Sequence, residues 1–133
     1  MRVRDGMSRE VLVVGPQHTL REASRMMAAR RVGAAVVADP DGEGTGIITE
    51  RDVLQALADG EDPDTELVGT HLTSELVFAS PDWSLEQAAE AMLRGGFRHL
   101  VVLDGDDVGG ILSVRDIVRC WQRERIESGQ LVS

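Results

Sequence analysis

A seven-residue phrase occurs twice in this chain. Gly46-Ile47-Ile48-Thr49-Glu50-Arg51-Asp52 is matched by Gly110-Ile111-Leu112-Ser113-Val114-Arg115-Asp116, with glycine, two aliphatics, a hydroxyl residue, Arg and Asp in the same order. Each copy reads as a buried strand turning into a helix. Thr49 or Ser113 stands at the N-cap and the Asp in the first turn, where a carboxylate favours the positive end of the helix dipole. One copy is a weak signal. Two copies in one short chain indicate a duplicated unit.

Overlaying the halves extends the match. Pro16 pairs with Pro81, Leu20 with Leu85, Ala23 with Ala88, Met27 with Met92, Glu10 with Glu75 and Val36-Val37 with Val101-Val102, all 65 residues apart. The offset then falls to 64, because Pro40 to Gly44 faces the shorter Gly105-Asp106-Asp107. Length changes of this kind fall in surface turns. The repeats are placed at residues 7–60 and 71–127, with a polar linker over Glu61–Thr70.

Each repeat spells the same order of elements. Val11–Val14 is a short strand ended by Gly15-Pro16, and Leu76–Ala79 is its counterpart. Thr19-Leu20-Arg21-Glu22 and Ser84-Leu85-Glu86-Gln87 are capping boxes. They open helices with apolar stripes at Leu20, Ala23, Met27 and at Leu85, Ala88, Met92. Gly33 and Gly95-Gly96 are expected to end these helices. Two strands follow in each repeat, Ala34–Ala38 and Gly46–Ile48, then Leu100–Leu103 and Val108–Leu112. The closing helices are expected to turn Val53, Leu54 and Leu57 inward, and Ile117, Val118 and Trp121 likewise. The plan is β-α-β-β-α, twice, in a mixed α+β fold. A half of about 60 residues buries too little alone, so the halves are expected to share a core.

Composition excludes several functions. Net charge is −9, no Lys is present, and aromatic residues make up 3%. The chain therefore lacks the basic patch and the stacking platform of a nucleic-acid binder. No apolar run approaches a membrane span or a signal peptide, and one cysteine, Cys120, permits no internal disulfide. Cytoplasm is the expected compartment. The acidic clusters at Asp39–Glu43, Asp59–Glu66 and Asp104–Asp107 do not follow a calcium-loop pattern and read as solvated turns. His18, His71 and His99 have no metal-ligand spacing with Cys120. No nucleophile sits with a His and an acid, and Cys120 reads as a buried thiol. A non-enzyme is expected.

The β-α-β-β-α order, the turn after a Val-Val-x-Asp strand and the doubled Gly-aliphatic-aliphatic-[Ser/Thr]-x-x-Asp junction resemble a pair of CBS domains, the repeats named after cystathionine beta-synthase and joined as a Bateman module. The resemblance covers nearly the whole chain. It implies two repeats packed through their small sheets with approximate two-fold symmetry, leaving two clefts. In many members these clefts bind AMP, ADP, ATP or S-adenosylmethionine, and in others no ligand is known. A regulatory or sensor module for an adenosyl ligand is therefore expected, with no cofactor required and magnesium a possible companion of phosphates. The alternative is a structural or dimerisation module with vestigial clefts. Either way the output passes through an effector protein or through an oligomer, and a homodimer is expected, with Trp121 at its interface or else over the core.

The ligand residues this implies are Thr49, Asp52, Arg98, His99, Ser113 and Asp116. A carboxylate in the first helical turn can accept from both hydroxyls of a ribose, and the helix N-terminus suits phosphate. The same Thr-x-x-Asp is also an ordinary helix start. Val13 and Phe78 stand where nucleotide-binding members often carry Thr, and Phe78 is read as core in preference to a seat against a purine. The helix-to-strand joint is Val32-Gly33-Ala34 in the first repeat but Phe97-Arg98-His99 in the second, so the two sites are expected to be unequal, with the basic pair meeting phosphates.

Overall fold

The structure, a computed structural model, describes residues 1–38, 45–73 and 78–129. The expected turn at Asp39–Glu43, and Leu76 and Val77 of the expected strand, lie outside the described residues. The elements run α1 (Val3–Gly6), β1 (Val13–Val14), α2 (Leu20–Arg30), β2 (Ala34–Ala38), β3 (Thr45–Thr49), α3 (Glu50–Ala58), α4 (Val68–His71), β4 (Phe78–Ala79), α5 (Leu85–Gly95), β5 (His99–Asp104), β6 (Asp107–Ser113) and α6 (Val114–Glu127). They form two three-stranded sheets, β1-β2-β3 and β4-β5-β6. In each, the first pair is parallel and the second antiparallel. The expected mixed α+β fold with doubled β-α-β-β-α units is what is observed.

The compact units are not the linear halves. One unit is Val11–Leu76; the other joins Met1–Glu10 to Val77–Ser133. We call them the first-repeat and second-repeat units. The segment read as a linker belongs to the first-repeat unit. Leu20 N–H donates to Glu66 O at 2.9 Å, Val68 N–H to His18 O at 2.8 Å, and Thr73 exchanges backbone bonds with Ile47. Met1–Glu10 does the same for the second-repeat unit. Val3 N–H donates to Trp83 O at 2.8 Å and Ser8 exchanges bonds with Ile111. Val3 and Val68, 65 residues apart, are both fully buried. The duplication thus extends upstream of the phrase that reveals it.

These leading segments explain the repeated glycines. A Cβ on Gly46 would stand 2.6 Å from Leu72 Cδ1 and 3.1 Å from Thr73 O; one on Gly110 would stand 2.6 Å from Ser8 O. The strand must pass so close to its neighbour that only hydrogen fits.

The core of the first-repeat unit packs Leu20, Ala23 and Met27 of α2 on Ala35, Val37 and Ile48, with Val14, Ala56 and Val68. Leu85, Ala88, Met92, Leu100, Val102, Leu112, Ile117 and Cys120 do the same in the other unit, with Val3. The expected capping boxes are present at Thr19/Glu22 and Ser84/Gln87.

Four expectations are corrected. In α3, Leu54 and Leu57 point outward, 67% and 48% exposed, while Ala56 is buried. In α6, Val118 and Trp121 are 54% and 39% exposed, while Ile117 and Cys120 are buried. The inward stripe joins the capping Asp and the residue after it to the position four and three residues on, Asp52 and Val53 to Ala56 and Asp116 and Ile117 to Cys120, and the large apolar side chains flank it. Helix α2 ends not at Gly33 but at Arg31, which takes the left-handed conformation with φ 56°. In α5, Gly96 takes it with φ 69°, as expected. Phe78 is exposed rather than core, because a two-residue strand alternates and Ala79 takes the inward side.

Candidate functional site

Each unit brings the start of its last helix against the joint before its middle strand, through the same hydrogen bond. Glu50 N–H donates to Gly33 O at 2.9 Å, and Val114 N–H donates to Arg98 O at 2.9 Å. Strand register completes the match: Ala34 pairs with Thr49 and His99 with Ser113. The second-repeat unit therefore gathers Arg98, His99, Ser113 and Asp116 at one end of its sheet. The first-repeat unit places Thr49 and Asp52 beside the neutral Gly33 and Ala34. Arg98 is exposed; His99, Ser113 and Asp116 are half-buried.

Both helix starts are capping boxes. Thr49 N–H donates to Asp52 Oδ2 at 2.8 Å and Asp52 N–H to Thr49 Oγ1 at 3.2 Å. Ser113 N–H donates to Asp116 Oδ2 at 2.8 Å and Asp116 N–H to Ser113 Oγ at 3.0 Å. So the hydroxyl and the carboxylate each have a structural role, satisfying N–H groups that the helix leaves open.

The carboxylates differ in what else they hold. Asp52 Oδ2 also accepts from Thr49 Oγ1 at 3.0 Å, and its Oδ1 accepts from Thr73 Oγ1 at 3.3 Å. Asp116 Oδ1 meets only the guanidinium of Arg119, at 3.3 Å, among the described residues. A carboxylate offers about four lone-pair sites. Asp52 has three donors and Asp116 two, so more acceptor capacity is left at Asp116. Arg119 is a solvent-facing ion-pair partner that a ligand can displace at low cost.

Three neighbours escaped the sequence reading: Thr73, Arg119 and Glu50. Arg119 was detectable, since it lies three residues after Asp116 on one helix face. Thr73 was not, because its bond spans 21 residues, and its counterpart Ser8 turns instead to Glu10 O at 3.4 Å.

Elsewhere, His18 Nδ1 accepts from Gly15 N–H at 3.0 Å, and His71 Nε2 lies 2.9 Å from a Glu66 carboxylate oxygen. Among the described residues no group of three or more His, Cys, Asp or Glu is placed to hold a metal ion. No described helix is long and apolar enough to cross a membrane. A polar cavity of about 350 Å³ lies in the second-repeat unit between Arg4, Arg9, Asp82 and Asp104. It contains none of the six expected residues.

Comparison with known proteins agrees with this architecture. The CBS domain family matches residues 3–59 and 68–123. The CBS domain-containing protein YhcV of Bacillus subtilis is 34% identical over 116 residues, covering 86% of this chain and 81% of its own. A CBS-domain containing protein from Agrobacterium tumefaciens superimposes with a TM-score of 0.82 at 34% identity, covering 90% of each chain. A CBS domain protein from Pyrobaculum aerophilum, solved in complex with AMP, gives a TM-score of 0.81 at 28% identity over 96% of this chain and 97% of its own. With two matches that span most of its length and the sheet topology to fit them, this chain belongs to the CBS domain family, as a tandem pair.

Proposed function

We propose that this chain is a non-catalytic regulatory module that binds an adenosyl ligand. The observation that carries this reading is the grouping of Arg98, His99, Ser113 and Asp116 at one end of the second-repeat sheet, beside the N-terminus of α6. Asp116 has acceptor capacity for the ribose hydroxyls. The α6 N-terminus and Arg98 supply positive charge for phosphate. Phe78 registers with Val101, two residues from His99, and its exposed ring suits contact with a purine. Asp52 and Thr49 are the equivalent pair in the other unit. The Pyrobaculum relative, solved with AMP, supports an adenosyl ligand; AMP, ADP, ATP and S-adenosylmethionine are the compounds to try, with magnesium beside the phosphorylated ones.

The test is a thermal-shift screen of those compounds. A ligand at 100 times its dissociation constant stabilises by about 2.7 kcal/mol, a clear rise in Tm for a chain of this size. No rise with any of them overturns the reading.

Exposed side chains favour a second role alongside the first. Leu54 and Leu57 on α3, and Val118 and Trp121 on α6, are large apolar groups left in solvent. A second copy of the chain is the proposed cover, since large aromatics anchor interfaces. Sedimentation at tens of micromolar reads it out; a monomer there overturns the homodimer.

A further inference from the structure

The joint and the helix start occupy the same place in both units, but the charge there is reversed. In the second-repeat unit the joint residue is Arg98. In the first-repeat unit it is Gly33, and the space beside it holds the carboxylate of Glu50. A Cβ on Gly33 would stand 3.0 Å from Glu50 Oε1 and 3.4 Å from Oε2. Where one unit starts a cationic side chain, the other lays an anionic one. The position of Glu50 is taken by Val114 in the second unit, since each donates its N–H to the joint carbonyl. One turn on, Arg119 beside Asp116 corresponds to Gln55, whose amide instead bonds Asp59 at 3.1 Å. At these three matched positions the second unit is more positive by one charge each.

We infer that Glu50 is a specificity residue: it bars phosphorylated ligands from the first-repeat helix start, which accepts an adenosyl compound without a phosphate, while the second-repeat helix start takes the phosphorylated one. The inference rests on the adenosyl reading above. The ribose acceptor is common to both units, so the ribose does not discriminate. A phosphate does. It carries its charge on the end of the ligand away from the base, and the exposed carboxylate of Glu50, beside the joint and within a Debye length of that charge, repels it. The helix N-terminus of α3 offsets only part of that repulsion, because its partial charge is about half a unit. Like-charge juxtaposition is the usual means by which a site rejects the wrong ligand.

The test uses titration calorimetry on the full chain with adenosine and AMP as probes. Asp116→Ala weakens the second-repeat site about thirtyfold, so the first-repeat site dominates the titration. In that background adenosine binds and AMP binds more weakly. Adding Glu50→Gln raises the ratio of AMP to adenosine affinity about tenfold, as expected for removal of one nearby like charge. Gln55→Arg, on the exposed face of α3, shifts the ratio the same way and serves if the Glu50 variant melts early. An unchanged ratio in both variants, or no adenosine binding in the Asp116→Ala background of a chain that otherwise binds it, overturns this inference and leaves the adenosyl reading standing. Failure of the unaltered chain to bind either probe also overturns this inference; the absence of a Tm rise across the whole screen overturns the adenosyl reading with it.

Discussion

The two units solve the same packing problem with different atoms. Each lets a leading segment cross the last strand at a glycine, but Gly110 faces the backbone oxygen of Ser8 while Gly46 faces the side chain of Leu72 most closely. Each caps its last helix with an Asp. Asp52 is then tied to Thr73, a neutral hydroxyl, and Asp116 to Arg119, a cation. Each closes its joint with one backbone bond, beside Glu50 in one case and Arg98 in the other. The lesson is that duplication preserves backbone geometry, which every copy needs to fold, and frees side-chain charge, which the fold does not need.

The two units should differ most at their glycines. Gly110→Ala drives a Cβ into a main-chain oxygen that cannot move without its strand, and should cost about 3 kcal/mol. Gly46→Ala meets first the end of a Leu side chain that can rotate, and should cost about 1 kcal/mol. Urea denaturation of both variants measures the difference; equal losses would mean that the two crossings are alike.

Next come the carboxylates. Asp116→Ala should weaken AMP by about 2 kcal/mol, the range for a lost charged hydrogen-bond partner. Asp52→Ala should affect AMP less, because that unit is predicted to reject phosphate. Each loses a helix cap as well, worth about 1 kcal/mol of stability, so binding should fall further than stability does. Calorimetry and melting on the same samples separate the two. An AMP affinity unchanged in both variants would remove the ribose assignment.

Arg98→Ala should have a smaller effect. AMP should lose about tenfold in affinity, adenosine much less, since an exposed guanidinium acts on phosphate alone. Equal losses for the two ligands would contradict a phosphate role.

The smallest expected effect is on acid stability. Glu22, Asp64 and Glu66 all lie in the first-repeat unit. The Thr19 backbone and hydroxyl hold the Glu22 carboxyl below its ordinary range, hydrogen bonding to Arg21 does so for Asp64, and hydrogen bonding to His71 for Glu66. Groups with depressed folded pKa values add stability that is present above about pH 4.5 and is lost as pH falls through the folded values. Protection of amides in α2 and α4 relative to their unfolded rates should therefore fall below pH 4 before protection in α5 does. Simultaneous loss of protection would show that these contacts contribute nothing specific.

Much of this was legible in the sequence. Capping boxes at Thr19 and Ser84 were readable because a cap is local chemistry within four residues. The strand-to-helix junction was readable because it occurred twice. The outward turn of Leu54, Leu57, Val118 and Trp121 was not. Several apolar phases fit those helices, and only the sheet beneath fixes which stripe faces it. Phe78 was misjudged for the same reason, since two residues are too few to show alternation. Arg31 rather than Gly33 ends α2 because the backbone accepts an occasional left-handed non-glycine residue where the next strand must start.

Sequence by itself determined the duplication and the β-α-β-β-α order within each repeat, since these are properties of pattern and spacing; the resemblance to CBS pairs singles out the six candidate site residues. Tertiary structure alone decided which of them meet. It joined Arg98 and His99 to Ser113 and Asp116 through strand register, tied Thr73 to Asp52 across 21 residues, and set Glu50 over Gly33. It also drew the unit boundaries through the repeats by pairing Ser8 with Ile111 and Thr73 with Ile47. These are long-range hydrogen bonds, and no local preference in the chain encodes where a distant partner will lie.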